Sequence, residues 1–198
     1  FSCSHKKQIT YINNIKAGDL NKINFSSNSF IEIGDILKID VKTVVEEVSA
    51  PYNNNNLNRD INQYLIDGYK VARDSSITYP FLGKILVVGL TTNELAIKLQ
   101  NMFISNGQLK NPHITVSKVN SKFTVLGEVT KPGTYFNYEN HLNIFQALGF
   151  AGDLLITAKR KNVKLIRHEN GLRKTYMFSL NNSQIFDKPY FYIKSNDV

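Results

Sequence analysis

The sequence predicts an α+β fold built as two successive small units. Three observations carry that prediction. Apolar residues alternate through 30–48, as half-buried strands require. A stretch opening at Thr91 repeats its apolar residues at helical spacing behind a capping pattern. Residues 163–178 read as two strands around Asn170-Gly171, the strongest short hairpin signal in the chain. A length of 198 residues suffices for one or two small domains.

The elements follow in order. Residues 1–29 carry little periodicity and read as a tether. From Phe30 to Val48, Ile31, Ile33, Ile36, Ile39 and Val41 mark strand positions, interrupted at Gly34-Asp35 by a turn. Pro51 and the run Asn53-Asn54-Asn55-Asn56 mark an exposed loop. Tyr64-Leu65-Ile66 and Tyr69-Lys70-Val71 read as strand pieces around Asp67-Gly68. Ile77 to Phe81 is a further strand, with Pro80 at its edge or end. Gly83 and Gly89 flank a strand at Ile85–Val88. Thr91 and Glu94 form a capping box for a helix carrying Leu95, Leu99, Met102 and Phe103, which stops near Asn106-Gly107. Pro112 leads into a strand at Ile114-Thr115-Val116.

The second unit starts near Lys122. Phe123, Val125 and Gly127 alternate with Thr124, Leu126 and Glu128, and Lys131-Pro132-Gly133-Thr134 reads as a turn before Tyr135-Phe136. Asn140 is placed to cap a helix carrying Leu142, Ile144, Phe145 and Leu148, closed by Gly149 and Gly152. The hairpin of Val163–His168 and Lys174–Phe178 follows. Strand, strand, helix, strand, strand suits a small sheet crossed by one helix, as in a β-grasp.

Bulk properties narrow the function classes. Hydrophobic residues make up 42% and charged residues 20%, ordinary for a globular protein. No stretch reaches the ~18 apolar residues of a spanning helix. The net charge is +8, and 151–198 holds nine Lys or Arg against four acids. Such a balance suits nucleic acid, an anionic surface or an acidic polymer, or serves solubility alone. No nucleic-acid recognition motif accompanies it. The one cysteine, Cys3, excludes an internal disulfide and a cysteine-based zinc site. Phe1-Ser2-Cys3-Ser4 is similar to the end of a bacterial lipoprotein signal, where the Cys takes the lipid. The other reading is a buried or incidental Cys.

Catalytic patterns are sparse. His5, His113, His141 and His168 show no metal-ligand spacing such as i,i+4. Neither a phosphate-binding loop nor G-x-S-x-G occurs. Glu46-Glu47 and Glu128 are candidate carboxylates for glycan hydrolysis by residue type alone. The expectation is no catalytic residue, no metal and no cofactor.

Several motifs carry a resemblance. Ile33-Gly34-Asp35-Ile36-Leu37-Lys38-Ile39 resembles the opening of the polysaccharide export domain. Ile77-Thr78-Tyr79-Pro80-Phe81-Leu82-Gly83-Lys84-Ile85, with Val88-Gly89-Leu90-Thr91, resembles its core signature, and Asn111-Pro112-His113-Ile114-Thr115-Val116 its closing strand. Val125-Leu126-Gly127-Glu128-Val129 with Lys131-Pro132-Gly133-Thr134-Tyr135 is similar to the signature of a soluble-ligand-binding β-grasp domain. Together, in this order, they resemble the outer-membrane polysaccharide export lipoproteins over roughly 30–190.

That resemblance implies a tether at 1–29, a polysaccharide export domain at 30–120 (a mixed sheet plus helix) and a β-grasp domain at 121–198. It implies a chain lipidated at Cys3, held at the periplasmic face of the outer membrane, and assembling with its copies into a ring around a conduit for capsular or extracellular polysaccharide. An inner-membrane polysaccharide co-polymerase is the implied partner. Asn196-Asp197-Val198 resembles the end of the family's β-grasp unit, beyond which members continue into an outer-membrane segment. This chain is thus expected to be a truncated soluble portion that does not form the pore alone.

A sliding polymer needs weak, distributed contacts from aromatic faces and basic groups. Tyr79 and Phe81 flank Pro80, and one of them is expected to face the ring axis and narrow the periplasmic entrance; the alternative is that both pack in the core. Arg160, Lys161 and Lys164 are candidates for an anionic polymer or the next subunit, and the alternative is a solvated face. Three other readings compete with the ring: a monomeric periplasmic saccharide-binding module, a nucleic-acid binder suggested only by charge, and an enzyme, ranked last.

Overall fold

Alternation in Ile36–Lys42 forms β1, with Leu37, Ile39 and Val41 pointing inward. The computed structural model describes residues 10–14, 30–53, 65, 67–138, 141–169 and 171–198. Two compact units result, one of them Asn28–Ser121. The other joins Lys122–Val198 to an N-terminal segment whose described residues are 10–14. The fold is α+β, as expected.

In the first unit β1 is central. It pairs antiparallel with β2 (Tyr69–Lys70) on one side and β5 (His113–Lys118) on the other. A separate hairpin joins β3 (Ser76–Tyr79) to β4 (Gly83–Leu86). A short helix α1 (Glu46–Ser49) and a 3-10 turn follow β1. Helix α2 (Thr92–Ser105) has the expected cap. Thr91 Oγ1 accepts from the Glu94 amide at 3.2 Å, and the Glu94 carboxylate accepts from the Thr91 amide at 2.7 Å. Leu95, Leu99 and Phe103 bury its stripe against Ile39, Val41, Ile114 and Val116.

The Gly34-Asp35 turn does more than interrupt a strand. Gly34 sits at φ +90, a conformation glycine adopts freely. Asp35 is buried, accepting from the Glu32 amide at 2.9 Å and pairing with Lys118 at 3.1 Å. Asn120 closes the turn from the far end of the unit, accepting from the Ile36 amide and donating to the Gly34 carbonyl. Ile31 is buried while Ile33, at the entry to the turn, is exposed, and the inward odd positions resume at Asp35 and Leu37. One strand expectation fails here. Leu65 and Asp67 are helical, and the pairing begins at Tyr69. The Asn-rich run beyond Asn53, and Tyr64 and Ile66, lie outside the described residues.

The second unit holds hairpin β6 (Lys122–Val125) with β7 (Gly133–Phe136), helix α3 (Ile144–Phe150), and hairpin β8 (Val163–Glu169) with β9 (Leu172–Phe178). Gly133 and Thr134 are already strand, not turn. Asn143, rather than Asn140, caps α3, because Gln146 stands three residues on to complete the box. Asn140 lies outside the described residues. Ile144, Ala147 and Leu148 pack the helix against Phe123, Val129, Leu180 and Ile185.

The two hairpins are joined through Asn196–Val198. The Asn196 amide donates to the Lys122 carbonyl, and the Thr124 amide to the Asp197 carbonyl. Ile166 and Val198 exchange both backbone bonds, at 2.7 and 3.0 Å. The segment thus runs parallel to β6 and antiparallel to β8. Arg167 fastens it. Its Nε and Nη2 reach the two carboxylate oxygens of Asp197 at 2.9 and 2.6 Å, and Nη2 also donates to the Tyr192 carbonyl at 2.7 Å. Both side chains are buried. Glu169 extends the network to Lys194 at 2.7 Å and Lys174 at 2.9 Å.

Residues 10–14, expected as tether, pack on this unit. Ile12 and Asn13 donate to the carbonyls of Leu180 and Asn181. Tyr11 stands edge-on to Phe145. Among the described residues no helix is long and apolar enough to cross a membrane.

Asp197→Ala leaves a buried guanidinium without its partner and costs about 3–5 kcal/mol. Urea-dependent hydrogen exchange at β8 amides reads this loss, and an unchanged midpoint contradicts the clamp. The Glu169 carboxyl is held down at about 2 by hydrogen bonds from Lys194 first and Lys174 second. Its contribution to stability is present above the ordinary glutamate range, near 4.3, and is lost as pH falls toward 2. Glu169→Gln flattens that part of the urea midpoint against pH; an identical slope contradicts it.

Candidate functional site

The β3–β4 connection concentrates the signature residues of the first unit. Tyr79 contributes its carbonyl to a turn, accepting from the Leu82 amide at 3.3 Å. Pro80 and Phe81 fill the central positions, and Phe81 takes φ +63, where glycine is ordinarily found. A bulky side chain held there is under backbone strain. Gln108, following α2, donates to the Phe81 carbonyl at 3.4 Å.

The two aromatic candidates part company. Tyr79 is 1% exposed, and its hydroxyl donates to the Tyr52 carbonyl at 2.7 Å. Burial, with Tyr69 beside it, pushes its phenol well above the ordinary range. Inward alternation on β3 makes Tyr79 a core residue, which leaves Phe81 as the exposed one of the two. Phe81 is 63% exposed, and its ring meets that of Tyr52 in a steeply inclined contact, centroids 5.0 Å apart. Tyr52 in turn rests on Phe103 at 5.0 Å. An exposed aromatic on a core-anchored turn suits stacking on an apolar or sugar face.

The basic candidates divide similarly. Arg160 is buried, donating to the carbonyls of Leu154 and Leu155 at 3.1 and 3.2 Å and lying 5.6 Å from the Tyr11 ring centroid. It staples the loop ahead of β8, so the expectation of an outward contact is corrected. Carbonyls that lack ladder partners take a guanidinium well. Lys161 and Lys164 are exposed. Tyr11, whose hydroxyl donates to Asp153, has its phenol pushed up to about 12 by burial and that carboxylate.

A cleft of about 510 Å³ opens within the second unit. Val125 to Val129 form one flank, Val163 to Ile166 the other, and Ile144, Ala147 and Leu148 of α3 the floor. Sequence reasoning missed it, because its walls come from segments distant in the chain. Glu128 lines it and is occupied by the Thr157 hydroxyl at 2.6 Å.

Glu46 and Glu47 are exposed on α1 in the first unit, and Glu128 belongs to the second. His113, His141 and His168 are exposed. Among the described residues no group of three His, Cys, Asp or Glu is placed to hold a metal ion. Cys3 and His5 lie outside the described residues.

The family model described as polysaccharide biosynthesis/export protein matches residues 24–118. The chain therefore carries this export-family domain, and the match contains the Gly34-Asp35 turn, β3, β4, α2 and β5. That domain ties the chain to polysaccharide export or biosynthesis. No curated protein matches the chain.

Tyr79→Phe strands the Tyr52 carbonyl and lowers unfolding free energy by about 1–2 kcal/mol. Phe81→Gly relieves the positive φ and changes stability by less than about 1 kcal/mol in either direction. Urea denaturation of the whole chain checks both. Equal losses would contradict the separation of core and surface roles.

Proposed function

We propose that this chain, carrier of the polysaccharide biosynthesis/export domain at residues 24–118, is the periplasmic part of an outer-membrane lipoprotein that assembles into a ring-shaped conduit for polysaccharide. The domain match is the observation that carries this reading. Lipid at Cys3 anchors the chain to the membrane, and an inner-membrane polysaccharide co-polymerase feeds the ring. Residues 121–198 serve as a soluble-ligand-binding β-grasp domain; the strand, strand, helix, strand, strand order supports this assignment.

The chemistry of passage supports the same reading. A polymer that must slide is held by many weak contacts, since a tight site would arrest it. Phe81 offers an exposed ring on a rigid turn, fit to stack on a sugar face. Lys161 and Lys164 offer exposed cations that meet acidic sugars or the next subunit through screened, low-energy contacts. A closed ring requires heterologous contacts between copies.

The test uses protein expressed with its signal peptide and extracted in detergent, examined by light scattering and negative-stain microscopy. Closed rings in the outer-membrane fraction, mislocalised by Cys3→Ala, are the expected result. In the same cells Phe81→Ala lowers surface polysaccharide while rings persist. A monodisperse monomer indifferent to Cys3 overturns the ring and favours a saccharide-binding module.

A further inference from the structure

The β6–β7 hairpin has two faces, and the core uses one of them. Phe123, Val125 and Tyr135 turn inward, against Leu142 and Ala147. Side chains alternate along a strand, so Lys122, Thr124, Thr134 and Phe136 stand on the opposite face. They pair across the hairpin as Lys122 with Phe136 and Thr124 with Thr134, the two hydroxyls 2.9 Å apart. Asn137 is buried, and Tyr138 beyond it returns to the side of Phe136. The two rings lie parallel, with 7° between their planes and 6.2 Å between centroids.

This face is kept wet. Phe136 is 43% exposed and Tyr138 56%, so both rings forgo much of the free energy that burial would supply. Apolar side chains exposed singly are ordinary, but two parallel rings together form a patch. The patch is not wholly apolar. Lys122 is exposed, and its place across the strand from Phe136 brings its ammonium within reach of a group stacked on that ring. Asn196, also exposed, adjoins it, its amide donating to the Lys122 carbonyl at 2.6 Å.

Rings, hydroxyls and an ammonium on one face match the surface of an acidic sugar. Its C–H face is apolar and takes an aromatic ring, and its rim is polar. A carboxylate on that rim makes a charge-assisted hydrogen bond to a lysine. An apolar protein surface would cover the rings and leave the ammonium and hydroxyls without partners. The distribution of charge agrees. Residues 122–198 hold eleven Lys or Arg against six Asp or Glu, a net +5, whereas 28–121 hold nine of each. Single-stranded nucleic acid also stacks and carries negative charge, but the export-family domain in the same chain favours a glycan.

We propose that Phe136, Tyr138 and Lys122 form a subsite for an acidic saccharide, the two rings stacking on sugar faces and Lys122 meeting the sugar carboxylate. The subsite rests on the polysaccharide reading of the chain and specifies its substrate class. It gives the second unit a saccharide contact of its own.

The experiment titrates the 198-residue chain with tetragalacturonate, and with maltotetraose as the neutral counterpart, followed by NMR. The ring resonances of Phe136 and Tyr138 shift with both sugars. Phe136→Ala and Tyr138→Ala each weaken binding by about threefold to tenfold, with the amide spectrum of the rest of the unit unchanged. Lys122→Gln weakens tetragalacturonate by a similar factor, removes much of its salt dependence and leaves maltotetraose unaffected. Aromatic resonances that stay still, or unaltered binding when both rings are replaced, overturn the subsite. Tighter binding of an oligothymidylate at the same side chains overturns it in favour of nucleic acid. Rings that respond to protein concentration and not to sugar overturn it and assign the face to a second copy of the chain. Tetragalacturonate contact in a full-length chain that never assembles upholds the subsite and removes the conduit; an assembled, exporting conduit without that contact does the reverse.

Discussion

The second unit depends on the ion pair between Arg167 and Asp197. Its two-pronged geometry leaves neither carboxylate oxygen without a donor, since Lys194 adds its amide to the Asp197 carboxylate at 2.8 Å. Buried charges are tolerated only when paired and hydrogen-bonded in this way. The consequence reaches beyond the pair. Asp197 also gives its carbonyl to Thr124, so fixing its side chain on β8 fixes its backbone on β6. Through its backbone bonds to both β6 and β8, this short segment fixes the register of the two hairpins, which the apolar surface of α3 does not set.

The first unit solves the same problem differently. Its knot is the Gly34-Asp35 turn, where Lys118 at the end of β5 and Asn120 just beyond it return to satisfy the start of β1. Tyr79 performs a comparable service for the segment after α1, capping the Tyr52 carbonyl from within the core. The residues that make the family's motifs recognisable are therefore largely those that close turns and satisfy backbone groups. Phe81 is the exception: it holds a strained backbone conformation and spends its ring on the surface. Strain tolerated at an exposed aromatic is the pattern of a residue kept for contact rather than for stability.

These observations bear on how an export component can be built. Rigid turns hold single aromatic or basic side chains at the surface, and the units behind them carry the stability. Contacts of that kind are individually weak, which suits a polymer that must pass rather than bind.

Local patterns were legible in the sequence. The capping box at Thr91 and Glu94, the stop at Asn106-Gly107, the β8–β9 hairpin and the inward stripe of α2 all follow from spacing and turn chemistry, which act over a few residues. Export character was legible through motif order. Tertiary structure alone decided the rest. Tyr79 and Phe81 stand two residues apart with Pro80 between them, yet only the turn geometry sends one inward and the other out. Arg160 and Lys161 are adjacent cations, and only the carbonyls of Leu154 and Leu155 separate a buried staple from a solvated charge. The Arg167–Asp197 clamp and the cleft join residues distant in the chain. Burial and pairing at such range are properties of the packed chain, and no local pattern encodes them.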